Sequence, residues 1–225
     1  MATIKKTVDR SSLIRKPRLS NQIYELLRSE LRSGKYAADT RFTEPAIAEE
    51  LQTSRTPVRE ALFQLVNNGL LCEFDRGYGL PSLSVADVED MMAIRISLET
   101  MVVRKLCTLI NQERLQALEK AVDAELKAVR KKDSAEFISA NNTFRELLYV
   151  LADNPYLKET AELYSDRLQI FRVLTLGERK NREFVAGEHK KLITAIGKHD
   201  EKRAVSIHTS MLKDATGAYI QAVKL

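Results

Sequence analysis

The sequence predicts a mainly α chain in two parts: three helices closed by a β-hairpin, then an antiparallel bundle of about six helices. Three observations predict it. Charged residues make up 30% of the 225 residues and aromatics 6%, with 8 glycines, 5 prolines and no tryptophan, the composition of a soluble, helix-rich protein. Apolar residues recur at helical spacing along most of the chain, and one stretch, residues 70–83, reads instead as two strands around a turn. Helices before that stretch are short and those after it are long. The expected divisions are a basic flexible arm over 1–18, a first domain over 19–83 and an all-helical second domain over 84–225.

The net charge of +5 does not by itself prove a nucleic-acid partner, but its distribution is uneven. Lys5, Lys6, Arg10, Arg15, Lys16 and Arg18 are opposed only by Asp9, an arm whose bland role is a solvated tail and whose functional role is attraction to phosphates. Cys72 and Cys107 lie far apart with no CxxC spacing, so no disulfide framework is expected and a reducing cytoplasm is the natural home. No signal-peptide core and no apolar run long enough to cross a bilayer is evident.

The first helix is expected from Ser20 or Asn21, with Ile23, Leu26, Leu27 and Leu31 on its buried face and Ser33-Gly34 ending it. Thr43 caps a second, with Glu44 in its acidic first turn and Ile47, Ala48 and Leu51 inward. Thr56 is the expected N-cap of a third, with Pro57 at the first helical position and Val58, Ala61, Leu62 and Leu65 facing the core. Arg55 and Arg59, four apart, share one side of that helix entrance, where guanidinium forks suit phosphates and the acceptor edges of guanine. A solvated basic helix end is the alternative. Leu70 to Phe74 reads as a strand, Asp75-Arg76-Gly77 as a turn and Tyr78 to Leu83 as the returning strand, with Arg76 at the tip able to meet a phosphate or a minor groove. Together these make a winged helix-turn-helix.

The run Ser54-Arg55-Thr56-Pro57-Val58-Arg59-Glu60-Ala61-Leu62, followed by Leu65, Gly69-Leu70 and the Arg76-Gly77 wing, resembles the winged helix of the GntR family of bacterial transcription regulators. The resemblance implies DNA contacts from Arg55, Thr56, Arg59, Arg76 and Gly77. Two departures stand out: Ala38-Asp39-Thr40 replaces the usual Pro-Gly, and Pro45 stands where some members carry a DNA-contacting arginine.

Beyond Pro81, six long helices are expected from near Ser84, Gln112, Asp133, Pro155, Arg179 and Asp200, with capping boxes at Ser84–Asp87 and Asp133–Glu136, a cap at Asp200, and the fourth helix running from Pro155 through Leu176. Arg95-x-x-Leu98-Glu99, Asn142-x-Phe144 with Asn154-Pro155, and Glu188-His189-x-x-Leu192-x-x-Ala195-Ile196 resemble the FadR-type (FCD) effector domain of that family. Many of its members hold a divalent metal through an Asp and three His. Carried over position by position, those ligands become Asn141, Arg145, His189 and Met211, with His208 just before the last. A guanidinium in place of an imidazole repels a cation, so no metal and no cofactor is expected. Arg145 would instead attract a small carboxylate effector, helped by Arg95, Asn141 and His189. The competing reading is a structural Arg145–Glu99 ion pair that binds nothing. His199, beside Asp200, reads as solvated.

The expectation is a cytoplasmic, DNA-binding transcription regulator, a repressor and not an enzyme. It would act as a homodimer on a palindromic double-stranded operator, with a small carboxylate effector modulating that binding and no membrane partner. The alternatives are a constitutive DNA-binding protein with a decayed pocket, a metal sensor using His189 and His208, and a small enzyme on the bundle. No nucleophile–base set or phosphate-cradling glycine loop supports the enzyme.

Overall fold

Helical periodicity and strong caps dominate this chain, and the folded molecule follows them. The computed structural model describes residues 18–37 and 39–223, so all of the expected basic arm but Arg18 lies outside the described residues. Contacts divide the chain into two units, one up to Ser29 with Asp39–Leu80, the other of Glu30–Ala38 with Pro81 onward.

In the first unit, α1 (Leu19–Ser33) buries Ser20, Ile23 and Leu27, while Leu26, expected inside, is 42% exposed. The buried stripe is narrower than the sequence suggested, because positions 20, 23 and 27 already fill one face and Leu26 sits at its edge. Thr43 caps α2 (Glu44–Glu50), its hydroxyl accepting the Ala46 N–H. Helix α3 (Arg55–Asn67) starts from Ser54, two residues before the expected cap at Thr56. Arg55 is therefore its first residue, and Pro57 falls in the first turn, where N–H groups have no intrahelical acceptor and its lack of one costs nothing. Val58, Ala61, Leu62 and Leu65 are fully buried, as their spacing required.

Strands β1 (Arg41–Phe42), β2 (Cys72–Phe74) and β3 (Gly77–Gly79) form an antiparallel sheet in the order β1-β3-β2. Three features were not expected: Arg41–Phe42, before α2, is a third strand, pairing Phe42 with Tyr78; the outgoing strand starts at Cys72 rather than Leu70; and the returning strand runs from Gly77 to Gly79 rather than from Tyr78 to Leu83. Gly77 has φ +98°, and a Cβ there would press on the Phe42 carbonyl oxygen, so the hairpin needs glycine at that position.

The second unit contains α4 (Val85–Leu109), α5 (Gln112–Lys131), α6 (Ser134–Leu151), α7 (Pro155–Arg167), α8 (Gln169–Leu176), α9 (Arg179–Gly197) and α10 (Glu201–Val223). Ser84 and Asp87 form a full capping box on α4. The expected second box is half made: Asp133 accepts from Glu136 N–H, but the Glu136 side chain turns to Lys131 instead. The fourth helix, expected unbroken to Leu176, is interrupted at Leu168 into α7 and α8, so the described residues hold seven bundle helices. No proline or glycine marks that break. His199, though exposed, sets its ring Nδ1 2.7 Å from the Cys107 carbonyl.

Apolar clusters occupy the bundle interior, one around Val103, Leu106, Leu118, Phe144 and Leu192, another around Val88, Met92, Leu168 and Leu212. Between such clusters lies a set of buried charges.

Candidate functional site

In the first unit, α3 presents Arg55, Thr56 and Arg59 to solvent, with no acidic residue in its first turn to neutralise them. Rooted by four fully buried residues, this helix holds its exposed face rigidly. Arg55 and Arg59 are one turn apart on one side, at the positive end of the helix dipole. The wing places exposed Arg76 at the β2–β3 turn beside half-buried Gly77. The geometry suits a rod of phosphates: fixed donors on a helix end, and a second cationic tip on a short hairpin.

In the second unit, a cavity of about 130 Å³ opens between α4, α6, α8, α9 and α10. Arg95, Asn141, Arg145, His189 and Met211, the five residues singled out from the sequence, all line it. So do Glu99, Arg172 and His208. His208, which the sequence set just before the last ligand position, faces the cavity as well.

Glu99 of α4 is 3% exposed and gathers four partners. Arg95 Nε and Arg145 Nη2 each donate to its Oε1 at 2.9 Å, the Tyr149 hydroxyl donates to the same oxygen at 2.5 Å, and His208 Nε2 lies 2.8 Å from Oε2. The ion pair between Arg145 and Glu99, the competing sequence reading, is therefore present. Burial works against the Glu99 charge, but the two guanidiniums and His208 overcome it and hold the carboxyl well below its ordinary range. For Arg95, Glu99 likewise overcomes burial and holds the guanidinium above its usual value. Burial outweighs Glu99 at His208 and pushes its imidazole below the ordinary histidine value. In the neutral ring, Nε2–H donates to Glu99 while Nδ1 is buried without a partner.

Behind the cavity wall, Glu125 is fully buried and meets His189 Nδ1 at 2.9 Å, while Asn141 Nδ2 donates to it at 2.9 Å. The His189 ring stacks on Phe144, with centroids 4.1 Å apart. Two sides thus fix the imidazole. Glu125 escaped the sequence reading although a signal existed: with Leu118, Val122 and Val129 it shares one buried stripe.

Arg172 of α8 escaped it too, and for the same reason: it lies between Leu168 and Leu176 on an apolar face. The residue is 5% exposed. Nη2 donates to the side-chain oxygens of Asn142 and Gln169, whereas Nε and Nη1 have no partner among the described residues. Burial and the neighbouring Arg145 charge push it well below the usual arginine range, the opposite of Arg95. The difference is the carboxylate that Arg95 has and Arg172 lacks.

The donor set does not fit a divalent metal. His189 and His208 are each engaged by a carboxylate, Asn141 is neutral, and Arg95, Arg145 and Arg172 face the same space. Among the described residues no cluster of three or more His, Cys, Asp or Glu is placed to hold one.

Residues 19–77 match the bacterial regulatory proteins of the gntR family, and residues 90–214 match the FCD domain. The HTH-type transcriptional regulator YdhC of Bacillus subtilis (strain 168) is 30% identical over 185 residues, 81% of this chain and 83% of its own. The HTH-type transcriptional repressor RspR of Escherichia coli (strain K12) is 25% identical over 201 residues, 88% of each chain. Among solved structures, E. coli McbR/YncC shares the fold with a TM-score of 0.81 at 22% identity, over 92% of this chain and 99% of its own. No described helix is long and apolar enough to cross a membrane.

Proposed function

Because the chain belongs to the GntR family of bacterial regulatory proteins and carries its FCD domain, and is therefore a DNA-binding transcription regulator rather than an enzyme, we propose that it is a repressor released by a small anionic effector held in the bundle cavity. The observation that carries the effector reading is the charge imbalance of the cavity. Arg95, Arg145 and Arg172 line it, and Glu99 is the one buried carboxylate among its lining residues, since Asp214 at the rim is exposed and screened by solvent. A buried cation without a counter-ion is costly, and an anion that enters offsets that cost.

On the DNA side, the chain acts as a homodimer on an imperfectly palindromic operator, each α3 entering a major groove with Arg55, Thr56 and Arg59. Arg76 and Gly77 of the wing touch the flanking backbone or minor groove. Repression is favoured because RspR, a relative over most of the chain, is a transcriptional repressor. Effector binding and operator binding are then coupled, each changing the affinity of the other by the same factor.

The ion pair of Arg145 with Glu99 favours a second reading, in which the cavity is a structural remnant and DNA binding is constitutive. A titration of small carboxylates into protein bound to a duplex selected from a random pool separates the two. Release of the duplex by at least one acid supports the sensor; release by none, with no thermal stabilisation either, supports the constitutive protein.

A further inference from the structure

Arg95 and Arg145 both spend their charge on Glu99. Arg172 does not: its two partners, Asn142 and Gln169, are neutral acceptors that aim the guanidinium without compensating it. Among the described residues, the cavity-lining arginines leave three donors buried and unpartnered: Nε and Nη1 of Arg172 and Nε of Arg145. These are donors with fixed positions and no acceptor, which is what a carboxylate supplies. Much of the rest of the lining is of another kind: Leu148, Leu176, Val185, Met211 and Leu212 offer no hydrogen bond, while Thr175, Asn181 and Asp214 stand among them.

We propose, resting on the effector reading above, that Arg172 holds the effector's carboxylate and that the effector is a small monocarboxylate with a compact apolar body. A polyhydroxylated acid would press several of its hydroxyls against Val185, Met211 and Leu212, side chains that accept no hydrogen bond. A second carboxylate would find only guanidiniums that Glu99 already neutralises. The size agrees: a cavity of about 130 Å³ approaches the apolar cavities of ~150 Å³ that take up benzene. Arg145, through its free Nε, is a secondary donor, and Arg172 is the anchor.

The test is thermal unfolding of the full-length protein with benzoate and butyrate, their neutral counterparts benzamide and butyramide, and the polar acids gluconate and succinate. Benzoate or butyrate is expected to raise the midpoint by roughly 5–10 °C at a concentration about a hundred times its Kd, while the amides and polar acids leave it in place. Arg172→Met is expected to abolish that rise and to unfold, without ligand, at or above the wild-type temperature, because an uncompensated buried cation has been removed. Arg172→Lys keeps the charge but not the fork, and retains a weakened rise. A wild-type response in Arg172→Met overturns the anchor. So does loss of its helical circular dichroism, which would make the guanidinium a prop of the fold. Stabilisation by gluconate or succinate and not by the apolar acids overturns the ligand class while leaving an anionic effector standing. No response to any acid, in any variant, overturns both this proposal and the effector reading.

Discussion

Replacing Glu99 by glutamine removes one charge and almost no volume, at the point where the cavity's ion pairs converge. The carboxylate serves Arg95 and Arg145 at 2.9 Å each, with both guanidiniums under a tenth exposed. An amide cannot neutralise them, and its NH₂ group must face a donor or force His208 into its other tautomer. Breaking a buried ion pair from one side costs about 3–5 kcal/mol, and each kcal/mol moves the midpoint of a unit this size by roughly 2–4 °C. Glu99→Gln should therefore lower the thermal midpoint at pH 7 by roughly 6–20 °C, read by far-ultraviolet circular dichroism. The gap should close in acid. The Glu99 carboxyl is held well below the ordinary value of 4.5, so its contribution is complete above that pH and is lost as the pH falls through the lowered folded-state value. The variant has no such group to titrate. A change of less than about 2 °C at pH 7, or a gap that widens in acid, would refute the assignment of Glu99 as the charge that holds the two guanidiniums.

Arg59→Ala should abolish specific binding to a selected duplex and leave the circular dichroism spectrum unchanged, since Arg59 is exposed; a bidentate base contact alone accounts for about 1–3 kcal/mol, and unchanged affinity in a gel shift would remove α3 from the groove. Wild-type affinity should fall steeply with salt, and Arg55→Ala should flatten the slope of log K against log salt by about 0.9 if Arg55 meets a phosphate. Gly77→Ala should destabilise the wing by about 1–3 kcal/mol, because φ is +98° and the new Cβ meets the Phe42 carbonyl; an unaltered midpoint for the first unit would contradict this. Burial lowers the folded-state value of His208, so it contributes stability above pH 6.5 that is lost as the pH falls below it, with Glu99 and Arg95 of α4 and His189 of α9 facing it. His208→Gln should flatten the stability profile between pH 7 and 5.5, and an unchanged slope would place the titration elsewhere.

The winged helix was legible because each of its parts leaves a local mark: a capped short helix, a basic entrance at residues 55–59, and a turn at residues 75–77. Its cap was misplaced because Ser54 and Thr56 are both good N-caps, and only backbone geometry chooses between them. The β1 strand is two residues long, too short for any alternation to register. In the bundle, Asn141, Arg145, His189 and Met211 came from the family resemblance, position by position, and with Arg95 they line one cavity because each projects from its helix toward the bundle interior. Their partners were harder to see. Periodicity searches for apolar residues, so Glu125 and Arg172 passed as interruptions of a stripe rather than as its most informative members. The pairing of Arg145 with Glu99 was visible as an alternative, and three-dimensional contact was needed to select it. That pairing also changes the choice of variant: Arg145→Ala would disturb the Glu99 network as well as any ligand, whereas Arg172 has no ion pair to break among the described residues.

The proposed control of α3's grip on DNA by an acid in the cavity is open to direct measurement. It is tested most directly by fluorescence anisotropy of a labelled, selected duplex with wild-type protein and Arg172→Met, each with and without an acid that stabilises the wild type. Equal affinities are expected without the acid, and a five-fold or greater weakening with it in the wild type alone, the order of about 1 kcal/mol of coupling. An acid that stabilises the wild type yet leaves its duplex affinity unchanged, or that weakens both proteins alike, would contradict it.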